Sequence, residues 1–153
     1  MIERAVFDFL SDHSIGVLAT TAADGTPQAC TVFYATDADC SLIFKSRMTS
    51  DHMQSVFRDN RAALAVYRHD SIYKLKAGVQ LKGVIVKIRE AGEMSAAVDL
   101  YSAHFEGARE KFAPISNLLH SDAESTLYRF VPAEYKLTDG WSNRLDLDYR
   151  PAR

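Results

Sequence analysis

The pattern that most restricts this chain is a succession of short, strand-like segments. IGVLATT (15–21), ACTVFYA (29–35), LIFKS (42–46), RAALAVY (61–67) and GVQLKGVIVKI (78–88) are rich in β-branched and aromatic residues. LYRFVPAEYKLTD (127–139) adds a final strand or pair, which the proline at 132 is expected to break. Asp24-Gly25 is a hairpin turn signal between the first two strands, and the acidic TDADCS makes the next turn. Gly83 marks a bend or a close backbone approach within the fifth strand.

Three stretches carry helical spacing instead. Ile2, Val6, Phe9 and Leu10 share a face over residues 2–12. Thr49 or Ser50 is placed to cap a helix running to about Arg58, with Met53, Val56 and Phe57 on its buried side. Met94, Ala97, Val98, Tyr101 and Phe105 align over residues 93–106. Antiparallel strands with a few helices tucked between them imply an α+β, mainly β, antiparallel barrel with flanking helices. A chain of 153 residues suits one domain, 1–153, with a genuine core.

Several function classes are disfavoured. The net charge of −2 gives no footprint for nucleic acid or an anionic membrane. No apolar run reaches the roughly 20 residues needed to span a bilayer. The first residues carry acids within their apolar stretch and lack a signal-peptide core, so a cytoplasmic protein is expected. Cys30 and Cys40 form neither a disulfide framework nor a zinc pair; Cys40, in a turn, is a candidate for exposure. His69-Asp70, His104 and His120 have no metal-ligand spacing, so no metal is expected. GxSxG, P-loop and GxGxxG motifs are absent from the sequence.

One junction carries chemistry. Lys45, Ser46, Arg47, Thr49, Ser50, Asp51 and His52 crowd between the third strand and the second helix. Such a cluster is either a solvated connection or an anion cradle that combines cations, hydroxyl donors and a helix start.

The ordered series LAT…DGTPQACTVFYATD…SLIFKSRMTSDHMQ…NRAALAV…GVQLKGVIVKI resembles the pyridoxamine 5′-phosphate oxidase-like family, an FMN-binding split barrel; the second half looks most like an uncharacterised bacterial subgroup. The resemblance implies a homodimer with FMN in the groove between subunits. It places the ring against the main chain of Cys30, Thr31, Val32, Phe33, Tyr34 and Ala35. It places the phosphate at Lys45, Ser46, Asp51 and His52, with Arg47, Thr49 and Ser50 interleaved, and offers Gln80 as a polar contact from the second subunit. This chain departs from the family's oxidases in having Asp51 and Cys30 where they have arginine, and His52 where they have lysine.

The implied activity is an FMN-dependent oxidoreductase acting on a small molecule, with a nicotinamide donor as one option. Pyridoxamine phosphate oxidation itself is not expected, because the tail WSNRLDLDYRPAR lacks the Arg-x-His signature of those enzymes. Other readings remain open: a non-catalytic flavin-binding or stress-related module, a barrel using deazaflavin or haem with His52 or His104 as the only guesses for a ligand, or a scaffold without cofactor. Trp141 is expected to pack on the barrel or the dimer mate, or to approach the flavin.

Overall fold

The structure is a computed structural model that describes residues 4–72, 76–112, 114–120 and 123–139; the expectations for Trp141 and the tail fall outside them. Six strands, β1 (Ile15–Thr21), β2 (Pro27–Thr36), β3 (Leu42–Arg47), β4 (Arg61–Arg68), β5 (Ala77–Lys87) and β6 (Ser125–Asp139), close into one barrel in the order β1-β2-β3-β6-β5-β4. Every pairing is antiparallel. Among the described residues four helices accompany them: α1 (Arg4–Ser11), α2 (Asp51–Arg58), α3 (Ala91–His104) and α4 (Ser116–Leu119), with a 3-10 turn at Arg109–Phe112. The expected α+β barrel with flanking helices is what the chain forms.

Period-two alternation sets the core. Leu18, Val32, Tyr34, Phe44, Leu64, Val66, Val79, Leu81, Ile85, Tyr128 and Phe130 fill the barrel, and Val6 and Leu10 of α1 with Met53 and Val56 of α2 join the same cluster. Each such side chain contributes about 1.5–3 kcal/mol through its removal from water. The opposite face of β2, β3 and β6 supplies Ala35, Ile43 and Leu127 to a second cluster under Met94, Ala97, Val98 and Tyr101 of α3. The Tyr34 hydroxyl ties α1 down by donating to the Leu10 carbonyl at 3.1 Å.

Pro132 does not break the last strand. β6 runs continuously and pairs with β3 through its first half and with β5 along most of its length. The register steps from Lys82↔Glu134 to Gly83↔Pro132, so Ala133 is an extra residue and a proline without an N–H sits at a bulge. Here Gly83 answers the expectation of a close approach: a Cβ at this position would lie 2.1 Å from the Val131 carbonyl oxygen.

The turn after β2 is held by a half-buried arginine. Arg129 of β6 donates to Asp37 at 2.8 Å, to the Ser41 hydroxyl at 2.5 Å and to Glu93 of α3 at 3.1 Å, linking three elements. Cys40 lies in this turn with φ of 62°, and its side chain is buried rather than exposed.

Candidate functional site

The barrel is incompletely zipped between β2 and β3. Among the described pairings, β2 meets β3 only from Tyr34↔Phe44 to Thr36↔Leu42, although it pairs with β1 all the way to Pro27 and β3 pairs with β6 through Arg47. The two strands therefore part beside Lys45–Arg47, where α2 follows. A split of this kind leaves extended backbone with hydrogen-bonding groups directed away from the sheet's own ladder.

Side-chain alternation then divides the polar cluster. Leu42, Phe44 and Ser46 share the inner face of β3, whereas Ile43 and Lys45 face outward. Ser46 is almost fully buried, and its Oγ lies 2.7 Å from His52 Nε2 and 3.2 Å from Ser50 Oγ. Ser50 Oγ is itself 3.2 Å from His52 Nε2 and donates to the Arg47 carbonyl at 2.8 Å. Three of the residues named from sequence thus form one compact triangle.

Ser50 occupies the N-cap of α2 but makes no side-chain bond to the helix amides, so those first-turn N–H groups have no side-chain cap. The Gln54 amide fixes the preceding loop by donating to the Met48 carbonyl at 2.8 Å. His52 is half-buried, and desolvation lowers its pKa, with Asp51 pulling weakly the other way; the ring is neutral at pH 7.

The remaining members of the cluster lie elsewhere. Lys45 stacks its ammonium over the Phe112 ring, 5.4 Å from the centroid, on the side of the sheet away from Ser46. Arg47 is exposed and pairs loosely with Glu124 at 3.6 Å. Thr49 and Asp51 are exposed, so the Asp51 carboxylate is free to face water.

On β2, Thr31 and Phe33 point outward, with Phe33 52% exposed and edge-on to Phe105. Val32 and Tyr34 turn into the core, Cys30 packs partly against it, and Ala35 lies beneath α3. Burial raises the Cys30 thiol above its usual pKa, making it a poor thiolate. Gln80 is exposed on β5, in one row with Ala65, Val17 and Thr31 across the outer face. Three strand spacings, about 14 Å, separate Gln80 from Thr31 in the same barrel.

Two hydroxyls, one imidazole and uncapped helix amides fit a phosphate group once the imidazole carries a proton on Nε2. The weak point of the set is formal charge, because Lys45 is turned away and Arg47 is the nearest exposed cation. Two open clefts lie elsewhere. One of about 590 Å³ is lined by Tyr67, His69, Asp70 and Gln80, and one of about 680 Å³ by Asp59, Arg61, Lys82 and Glu134. Neither touches the triangle, and we weigh the convergent donors above cleft size because open hollows on a sheet face carry no chemistry by themselves.

Sequence reasoning missed the β2–β3 parting, the separation of Lys45 from Ser46, and the Arg129 network. The second was available from alternation, since Phe44 inward forces Lys45 outward and Ser46 inward. Among the described residues no group of three or more His, Cys, Asp or Glu side chains is arranged for a metal ion, and no helix is long and apolar enough to cross a membrane.

A family model described as pyridoxamine 5′-phosphate oxidase matches residues 2–138. No curated protein matches the sequence. Among solved structures, a conserved hypothetical protein from Mycobacterium tuberculosis is similar over 100% of this chain and 92% of its own, with a TM-score of 0.75 and 20% identity. A heme binding protein from Mycobacterium smegmatis has a TM-score of 0.74 at 19% identity, covering 94% of this chain and 57% of its own. An FAD binding protein from the same species has a TM-score of 0.66 at 14% identity, covering 93% and 98%. At these identities the likeness is one of fold.

Proposed function

The chain belongs to the pyridoxamine 5′-phosphate oxidase family, and from that premise we propose that it is an FMN-binding oxidoreductase working as a homodimer. The observation that carries this reading is the parting of β2 from β3 directly beside the Ser46–Ser50–His52 triangle. A flavin mononucleotide needs both halves of that arrangement: hydroxyl and amide donors for its phosphate, and extended main chain for the hydrogen-bonding edge of its ring.

In this reading Ser46, Ser50 and His52 hold the phosphate, with the first-turn amides of α2 behind them, while Arg47 stays on the rim paired with Glu124. Cys30, Thr31, Val32 and Phe33 offer main chain to the ring, and Thr31 adds a hydroxyl. Phe33, half-exposed and apolar, excludes water from one side. Gln80 is too far along the same barrel to join them, so its contact comes from the second copy. The bound flavin supplies the electron transfer; the protein supplies position and a shielded surface. Pyridoxamine phosphate oxidation is not part of the proposal, and the substrate is another small molecule, with a nicotinamide donor as the first to try.

Haem is the competing occupant, because one neighbour of similar fold is named as a heme binding protein. Purification separates the two. Protein that carries a yellow chromophore, releases FMN on denaturation and bleaches with NADH or NADPH supports the reading. Protein that takes up haem stoichiometrically and leaves added FMN fluorescence unquenched overturns it.

A further inference from the structure

The triangle leaves one atom with a choice of proton. Ser50 gives its hydroxyl hydrogen to the Arg47 carbonyl, so toward His52 it presents only an oxygen. Ser46, at 2.7 Å, is at the right distance to donate O–H to a bare Nε2. Among the described residues His52 Nδ1 has no hydrogen-bond partner, which leaves that nitrogen free to hold the ring's proton. In this state the Nε2 lone pair faces the hydroxyls, and a phosphate oxygen brought to the same place would meet that lone pair.

We propose that seating a phosphate at the triangle draws one proton from solvent onto His52, so that the protein's grip on a phosphorylated ligand weakens as pH rises through neutrality. This inference rests on the FMN reading and specifies how that site is regulated. The proton adds an Nε2–H donor and the positive charge that the site otherwise lacks.

The surroundings do not supply that charge. On α2 itself Asp51 lies next to the ring, and Arg58 sits at the far end of the helix, directed at the Thr21 carbonyl. β1, packed against α2, has no titratable side chain, and β2 contributes Cys30 and Tyr34, both held neutral by burial. On β3, Lys45 is on the other face and Arg47 is engaged with Glu124. Lys87 of β5 reaches Met48 Sδ at 3.9 Å, on the loop before the helix. The ring's ordinary affinity for a proton is already reduced by burial, so the free site is neutral at pH 7. A dianion beside it reverses that bias.

The linkage has a definite sign. A group whose pKa rises on binding takes up a proton, and affinity falls as pH climbs from the free-state to the bound-state value. The ligand's own phosphate titrates near pH 6, so the window from about pH 6.5 to 8.5 isolates the imidazole.

The test is FMN titration of the full chain across that window, with riboflavin as the phosphate-free probe and calorimetry in buffers of differing ionisation enthalpy. The expected result is an FMN Kd that rises by up to about tenfold per pH unit, with uptake of close to one proton, and a riboflavin Kd that does not move. His52→Lys flattens the FMN profile at high affinity, and His52→Gln flattens it at low affinity. Tight FMN binding with no pH dependence and no proton uptake overturns the inference and leaves the flavin reading standing. Folded protein that binds FMN at no pH overturns both.

Discussion

Removing the Ser46 hydroxyl is the sharpest way to ask whether the triangle is a phosphate site. Ser46→Ala deletes the group that lies 2.7 Å from His52 and 3.2 Å from Ser50 while keeping the β3 backbone and the inward packing of its Cβ. A hydrogen bond to a charged group contributes about 1.5–3 kcal/mol, so the FMN Kd rises by about 10- to 150-fold. Lys45→Ala is the matched control from the same strand. Its ammonium sits over Phe112 on the other face, and truncation there changes the Kd by about threefold or less, through screened long-range charge only. Flavin fluorescence quenching measures both, and denaturant midpoints confirm that each variant is folded. Lys45→Ala weakening FMN more than Ser46→Ala refutes the placement of the phosphate on the inner side of β3.

Four further outcomes follow from the packing. Gly83→Ala forces a Cβ to within 2.1 Å of the Val131 carbonyl oxygen and is expected to destabilise by about 2–4 kcal/mol in chemical denaturation. Gly92→Ala, at the start of α3 with nothing within 4 Å of the added carbon, is neutral or gains up to about 1 kcal/mol. Tyr128→Phe removes a buried hydroxyl without a partner among the described residues and leaves stability unchanged or raised by about 1 kcal/mol, whereas Tyr34→Phe loses the bond to Leu10 and costs about 1 kcal/mol. Burial pushes the Tyr128 phenol up to about 12 and Tyr34 higher still, so stability holds below the unfolded value near 10 and is lost as pH climbs toward the folded values. Ultraviolet titration checks this, and early ionisation of every tyrosine in folded protein contradicts it.

The fold was largely legible because β1, β4 and the first part of β5 alternate buried and open positions, as strands with one covered face must, whereas β3 is an unbroken apolar run because α3 covers its second face. The elements that sequence misjudged are those where a third partner decides. Pro132 reads as a strand breaker in isolation, but Gly83 opposite it makes room for a bulge. Cys40 reads as a turn residue open to solvent, but Arg129 folds that turn onto the barrel and buries it. At the site, sequence grouped the polar residues correctly as neighbours along the chain. Alternation along β3 already separates Lys45 from Ser46, but nothing in the sequence says that β2 leaves β3 at the same level. That parting is a property of two strands and their separate partners, and neither segment carries it alone.

The proposed function turns on FMN being held by Ser46, Ser50 and His52. The most direct measurement is the cofactor content of freshly purified protein, wild type beside the Ser46→Ala/His52→Ala double variant. Wild type is expected to emerge as a yellow dimer releasing FMN in near-stoichiometric amount, and the folded double variant to emerge colourless. Equal flavin in both proteins, or haem in place of flavin in the wild type, contradicts the proposal.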